Sequence, residues 1–295
     1  MFKKYKGQMG LTIVAIIWGS GFVASAIAIQ HYSPYQTLAL RFLLAAILLC
    51  LIFFKKIKKI KKSTWMRGGI LGGAVYLAFL FQTVGLAYTT PSKNAFLTAV
   101  NVVIVPILGF LFYKQKFSLQ MVLGAVLSLF GIGFLSLHGF NGVNGGDILT
   151  LVCAVFFALQ ITLTNQFIEN EDPVQLTLVQ MVTAAVIGAG VCFIRGETLF
   201  SSSIEGNLSI FYLGAISTML AFLIQTVSQK YTTSTETALI LSTEAFFGMM
   251  ASVIILKEPI TIQMMIGAIL IFSGILIVEV KPSIIMRKAK EESCE

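Results

Sequence analysis

Charged residues are so sparse that cutting the chain at each one leaves neutral, mostly apolar runs long enough to cross a bilayer: 68 to 92, 94 to 113, 117 to 146, 148 to 168, 174 to 194, 206 to 229 and 259 to 278. A spanning helix needs ~20 residues. Three further spans complete the set: about 8 to 29, 35 to 54 with Arg41 inside it, and 235 to 256 with Glu244 inside it. Ten spans are therefore predicted. Backbone groups in lipid must be satisfied within the structure, so only helices and closed barrels cross. These runs lack the polar/apolar alternation of barrel strands. The expected fold class is an all-α membrane protein, and a composition of 57% apolar and 12% charged residues agrees with it, against ~25% charged in soluble domains.

Phe79 to Leu137 reappears without a gap as Phe222 to Val280, shifted by 143 residues, with 17 of 59 pairs identical. FLFQTVGLAYTT answers FLIQTVSQKYTT, and LQMVLGAVLSLFGI answers IQMMIGAILIFSGI. The early parts align less clearly: Pro34 and Gln36 match Pro173 and Gln175 at 139, and Trp18 matches Phe156 at 138. The chain reads as two copies, residues 1–140 and 141–295, the second ending in a short tail. Five spans is an odd number, so the copies are expected to cross the membrane in opposite directions, as two inverted five-helix repeats with exchangeable gates.

Lys3, Lys4 and Lys6 before the first apolar run, with Ala24, Ser25 and Ala26 after it, resemble a cleaved leader. However, LTIVAIIW (11 to 18) has a counterpart in LTLVCAVF (149 to 156), so it reads as the first span. Lys and Arg favour cytoplasmic loops. With the N-terminus inside, 17 of the 21 lie in inner segments, Lys93, Arg195 and Lys257 lie outside, and Arg41 is within a helix. Both termini are expected in the cytoplasm, in a cytoplasmic-membrane protein. The cluster KKIKKIKK (55 to 62) follows from this topology, with contact to anionic lipid headgroups a secondary role. No nucleic-acid partner is expected. Four cysteines without paired spacing give neither a disulfide framework nor a metal motif, and His31 and His138 have no acidic neighbour in sequence. No metal, cofactor or phosphate-cradling G-x-x-x-x-G-K-[ST] is expected.

TTPSKNAFLTAVNVVIVPILGFLF with KQKFSLQMVLGAVLSLFGI, ALILSTEAFFGMMASVIILKEPITIQMMIGAILIFSGILI in the second copy, and WGS at Trp18 to Ser20 resemble the drug/metabolite transporter superfamily, EamA type. The likeness covers nearly the whole chain. It implies a ten-helix, non-enzymatic transporter of small metabolites, often amino acids and related amphipathic compounds. It also implies a glutamate inside the ninth span (Glu244) and another near its end (Glu258). Ala245 stands where many relatives carry proline, which leaves a kink there open.

Glu244 lies about nine residues into its span, roughly 14 Å along the helix at 1.5 Å per residue. A carboxylate at that depth costs ~2.5–3.5 kcal/mol on insertion scales, so it should face a cavity, a partner or a cation. A carboxyl so enclosed can hold a proton, which makes Glu244 the candidate for proton or cation coupling. The 143-residue shift pairs it with Asn101. Arg41 either snorkels to the membrane surface or binds a substrate carboxylate, and its counterpart Gln180 is neutral. Gln82 and Gln225, each one turn after Phe79 and Phe222, suit a ligand with polar and apolar parts. Trp18, Tyr76, Phe156 and Phe247 are further lining candidates. The expected substrate-binding set is Glu244, Asn101, Gln82, Gln225, Arg41, Trp18, Phe79, Phe222 and Tyr76.

The function expected is secondary transport of a small molecule, with export as the direction, by alternating access. Alternatives are a lipid-linked or nucleotide-sugar substrate, which calls for a lateral opening between helices, and a non-transporting membrane subunit. An intramembrane protease on Ser20 is disfavoured, since G-x-S-G would need glycine at position 18. Paired small residues such as Gly68 with Gly72 and Gly69 with Gly73 read as helix contacts.

Overall fold

The computed structural model describes residues 2–113, 144–199 and 203–279, with scattered positions between 123 and 134. Among the described residues every regular element is helical, and eight helices are long and apolar enough to cross a membrane. These are the first span, Tyr5–His31, then the second, Pro34–Ile52, the third, Lys62–Leu86, and the fourth, Pro91–Phe112. In the second copy they are the sixth, Gly145–Phe167, the seventh, Pro173–Ile194, the eighth, Ile204–Gln229, and the ninth, Ser234–Ile255. The tenth, helix Ile262–Glu279, is apolar over Ile262–Gly274. Most of the predicted fifth span, together with His138, Cys294 and the basic tail, lies outside the described residues.

Local sequence explains how the spans begin. The second and seventh open with an N-cap followed by proline, the residue best suited to a first helical position. Ser33 Oγ accepts from Gln36 N at 3.1 Å, and Asp172 Oδ1 accepts from Val174 N and Gln175 N, both at 3.0 Å. Thr90 and Thr233, one shift of 143 apart, cap the fourth and ninth spans in the same way. Burial works against the charge of Asp172, but Lys56 and the two N–H groups hold it below the usual carboxylate range.

The second and seventh spans interlock end to end. Gln175 Nε2 donates to the Lys56 carbonyl at 3.0 Å, and its counterpart Gln36 Nε2 donates to the Thr198 carbonyl. Each glutamine thus starts one span and grips the end of the other, so the second and seventh spans run antiparallel. The lysine-rich end is tied further by Lys56–Asp172 and Arg67–Glu171, both at 2.9 Å. In KKIKKIKK, Ile57 and Ile60 pack on the core and Lys55, Lys58, Lys59, Lys61 and Lys62 stay exposed. At the opposite, lysine-poor end, Lys93 meets the buried Asp147 at 2.7 Å. Glu258 there accepts from Ser92 Oγ at 2.8 Å, from Ser92 N and from Ser252 Oγ, so it ties the end of the ninth span to the start of the fourth. His31 lies 3.7 Å from Glu205, an acidic partner its sequence neighbourhood did not reveal.

Of the glycine pairs, Gly68 and Gly72 make close contacts: a Cβ there would stand 2.6 Å from Val179 Cβ and 2.6 Å from the Gln180 carbonyl. A Cβ on Gly69 would meet only Thr183, at 4.0 Å, and one on Gly73 nothing within 4 Å.

Candidate functional site

The fourth and ninth spans are interrupted at equivalent points. Helix Pro91–Thr98 tightens through Ala99 and Val100 before helix Asn101–Tyr113, and helix Ser234–Ser242 tightens at Thr243 before helix Glu244–Ile255. Bonds to the third preceding residue mark both joints: Val100 N to Leu97 O, and Thr243 N to Ile240 O. Ser242 and Thr243 hydroxyls each donate to the carbonyl three residues back, at 2.6 Å. Such back-bonding bends helices, so the ninth span breaks at this point with alanine, not proline, at position 245. Asn101 and Glu244 are therefore each the first residue of the second half of a span, about midway along it. Interrupted helices form binding sites in transporters.

Both residues line one narrow cavity of about 30 Å³. Trp18, Arg41, Phe79 and Gln82 line it too. Arg41 is 1% exposed, and this rules out the snorkelling alternative. Its Nε donates to Thr218 Oγ1 at 3.0 Å, and its guanidinium carbon lies 4.1 Å from the Phe79 ring centre. Among the described residues Arg41 makes no ion pair, and Glu244, 4% exposed, makes neither an ion pair nor a hydrogen bond. Asn101 Oδ1 is buried and unpartnered. The cavity thus offers one cation and one carboxyl that do not satisfy each other. Aromatic rings surround them: Phe79 meets Phe157 edge-on at 5.1 Å, and Trp18 is fixed by its Nε1 donating to the Ser217 carbonyl at 2.9 Å.

Three of the nine expected residues are not in the lining. Phe222 lies behind Trp18, with ring centres 5.0 Å apart. Gln225 faces the sixth span, where its Nε2 donates to Gln160 Oε1 at 3.3 Å. Tyr76 turns toward the seventh span and packs beside Gly188, where an added Cβ would make an ordinary 3.4 Å contact with the tyrosine ring. Phe156 stacks on Phe81 at 5.7 Å instead, and Phe247 lines a separate apolar cavity between the first, fourth, ninth and tenth spans.

The lining also holds Asn94, Gln160 and Ser217, which were not singled out from the sequence. Asn94 stands seven residues before Asn101, two turns up the same helix face, and that spacing was a usable signal. Ser217 and Thr218 lie in a π-helical stretch, Tyr212–Leu220, whose first-copy image, 69 to 77, is part of an ordinary α-helix. No composition cue marks it.

The first-helix triplet has a division of labour. Trp18 faces the cavity; Ser20 Oγ bonds Tyr212 Oη at 2.5 Å and donates to the Ile17 carbonyl at 2.9 Å. Between them, Gly19 lets the first span touch the backbone of the ninth: a Cβ would stand 2.8 Å from Gly248 N. This crossing lies one turn beyond Glu244 and sets its half-helix against Trp18.

The family model for the EamA-like transporter family matches residues 5–137 and again 144–280. The chain belongs to the EamA-like transporter family. This transporter is 34% identical to an uncharacterized transporter of Archaeoglobus fulgidus, over 95% of its own length and 87% of the relative's. It is 26% identical to the uncharacterized transporter YyaM of Bacillus subtilis, over 89% and 90%. With a probable amino-acid metabolite efflux pump of Salmonella typhimurium it shares 25% identity over 90% and 92%. A solved protein structure superposes with TM-score 0.68 at 15% identity, covering 91% of this chain and 95% of that one, which is a likeness of fold.

Proposed function

We propose that this membrane transporter moves zwitterionic small metabolites, amino acids first among them, by alternating access, with export as its direction. The observation that carries the reading is that the Arg41 guanidinium and the Glu244 carboxyl line one cavity, set among aromatic rings, and neither makes an ion pair among the described residues. An α-amino acid complements both: its carboxylate takes the Arg41 fork, its ammonium approaches Glu244 and Asn101 Oδ1, and its side chain meets Trp18, Phe79 and Phe157. Buried charges are costly unless paired, so a ligand that pairs both has a direct source of affinity. The efflux pump named among the relatives agrees with this choice.

Glu244 is the group proposed to couple transport to protons, being the enclosed carboxyl with no protein partner. In reconstituted vesicles, Glu244→Gln is expected to abolish acceleration by a proton gradient and to cut flux by about tenfold or more, since hydrogen bonds to a charged group contribute ~1.5–3 kcal/mol. Unchanged flux with an unchanged pH profile would remove Glu244 from the mechanism.

A further inference from the structure

The cavity draws heavily on first-copy residues whose second-copy images are shut away. Arg41 maps onto Gln180 at the shift of 139, and Gln82, Thr83, Leu86 and Asn94 map onto Gln225, Thr226, Gln229 and Thr237 at 143. None of these five images lines the cavity, and each is exposed by 1% or less. Several are also unsatisfied: both side-chain polar atoms of Gln180, and Oε1 of Gln225 and of Gln229, have no hydrogen-bond partner. An unpaired amide in an apolar interior costs free energy that leucine or methionine would not, and Leu86 occupies the position equivalent to Gln229. Three polar side chains therefore hold groups that this conformation does not use.

Their place in the fold indicates when they are used. Gln82, Thr83 and Leu86 run from the cavity toward the lysine-poor end, and Gln225, Thr226 and Gln229 run toward the lysine-rich end in the inverted copy. The sixth and eighth spans are zipped over them by Gln229 Nε2 donating to the Ile161 carbonyl at 3.0 Å. Asn165 Nδ2 adds bonds to the Gln229 and Thr232 carbonyls at 3.1 and 2.9 Å.

We propose that Gln180, Gln225, Thr226 and Gln229 form a second substrate site, closed here and opened toward the lysine-rich end when the two copies exchange conformations. The proposal rests on the transporter reading above. Its chemistry differs from that of the present cavity: it offers amide oxygens to ammonium and hydroxyl donors and, with Gln180 in place of Arg41, no cation to a carboxylate. Glu244, the image of cavity-lining Asn101, belongs to both sites. A zwitterion passing from one to the other keeps its ammonium contact and exchanges a guanidinium for amides, so an anionic group is held more tightly on the Arg41 side.

Cysteine accessibility tests this whatever the substrate is. In full-length protein with Cys50, Cys153, Cys192 and Cys294 replaced by serine, Thr226→Cys and Gln229→Cys are placed singly, and Ser25→Cys reports the present cavity. A membrane-impermeant methanethiosulfonate is applied to either face of oriented vesicles. Thr226→Cys and Gln229→Cys should react about tenfold or more faster from the lysine-rich face, through a minor open state, and Ser25→Cys from the other. If Ser25→Cys reacts while both second-copy cysteines stay inert from the lysine-rich face, the second site is overturned and the cavity reading stands. If all three are inert from both faces, alternating access falls with it.

Discussion

Arg41→Gln is expected to weaken binding of a carboxylate-bearing substrate about 10- to 100-fold, the equivalent of losing a charge-assisted hydrogen bond of ~1.5–3 kcal/mol. The substitution leaves a site with glutamine on both halves, since Gln180 is the image of Arg41, and so removes the cation that distinguishes them. The fold should survive. Among the described residues Arg41 makes one side-chain hydrogen bond, to a threonine hydroxyl, and no ion pair that would be left as an orphaned carboxylate. Arg41→Lys should recover only part of the affinity, because an ammonium cannot lie over the Phe79 ring, bond Thr218 and fork a carboxylate together. Half-saturation for an amino acid, measured by flux or by ligand-dependent thermal shift, gives the result; equal values for wild type and Arg41→Gln would place the carboxylate elsewhere.

Gly19→Ala is expected to destabilise the folded protein by about 1–3 kcal/mol, the usual cost of overpacking, and to depress transport with it. The added methyl would stand 2.5 Å from Phe247 Cβ and 2.8 Å from the Gly248 backbone nitrogen. Backbone cannot rotate aside as a side-chain tip can, so the first and ninth spans must part where Glu244 begins its half-helix. Gly73→Ala is the matched control, with nothing within 4 Å of the new atom. Thermal unfolding in detergent should show a clear loss for Gly19→Ala and none for Gly73→Ala. Equal stability of the two would mean that the helices at this crossing can part without loss.

Much of this was legible in the chain. Neutral runs marked the spans because a bilayer tolerates few charges, and the 143-residue shift picked out Asn101 with Glu244 because duplicated helices keep their depth. That shift fixed depth but not which copy faces the cavity. Gln82 and Gln225 are identical in sequence, yet only Gln82 lines the site, since one conformation breaks the symmetry between the copies. Aromatic candidates were the least readable. Phe79, Tyr76 and Phe222 are all large aromatics at membrane depth, and only packing separates them: Tyr76 turns to the seventh span and Phe222 lies behind Trp18. The break at Thr243 was hidden because serine and threonine hydroxyls, not proline, produce it. Arg41 was open between two fates that sequence does not separate, and the Thr218 hydroxyl brought by the π-helical turn settles its direction.

The most direct measurement is flux through vesicles of wild-type protein with an amino acid, its N-acetyl derivative and its carboxamide. Pairing both charges with Arg41 and Glu244 predicts saturable flux of the zwitterion and a loss of about tenfold or more when either group is blocked. Equal flux of all three would contradict recognition by the two buried charges.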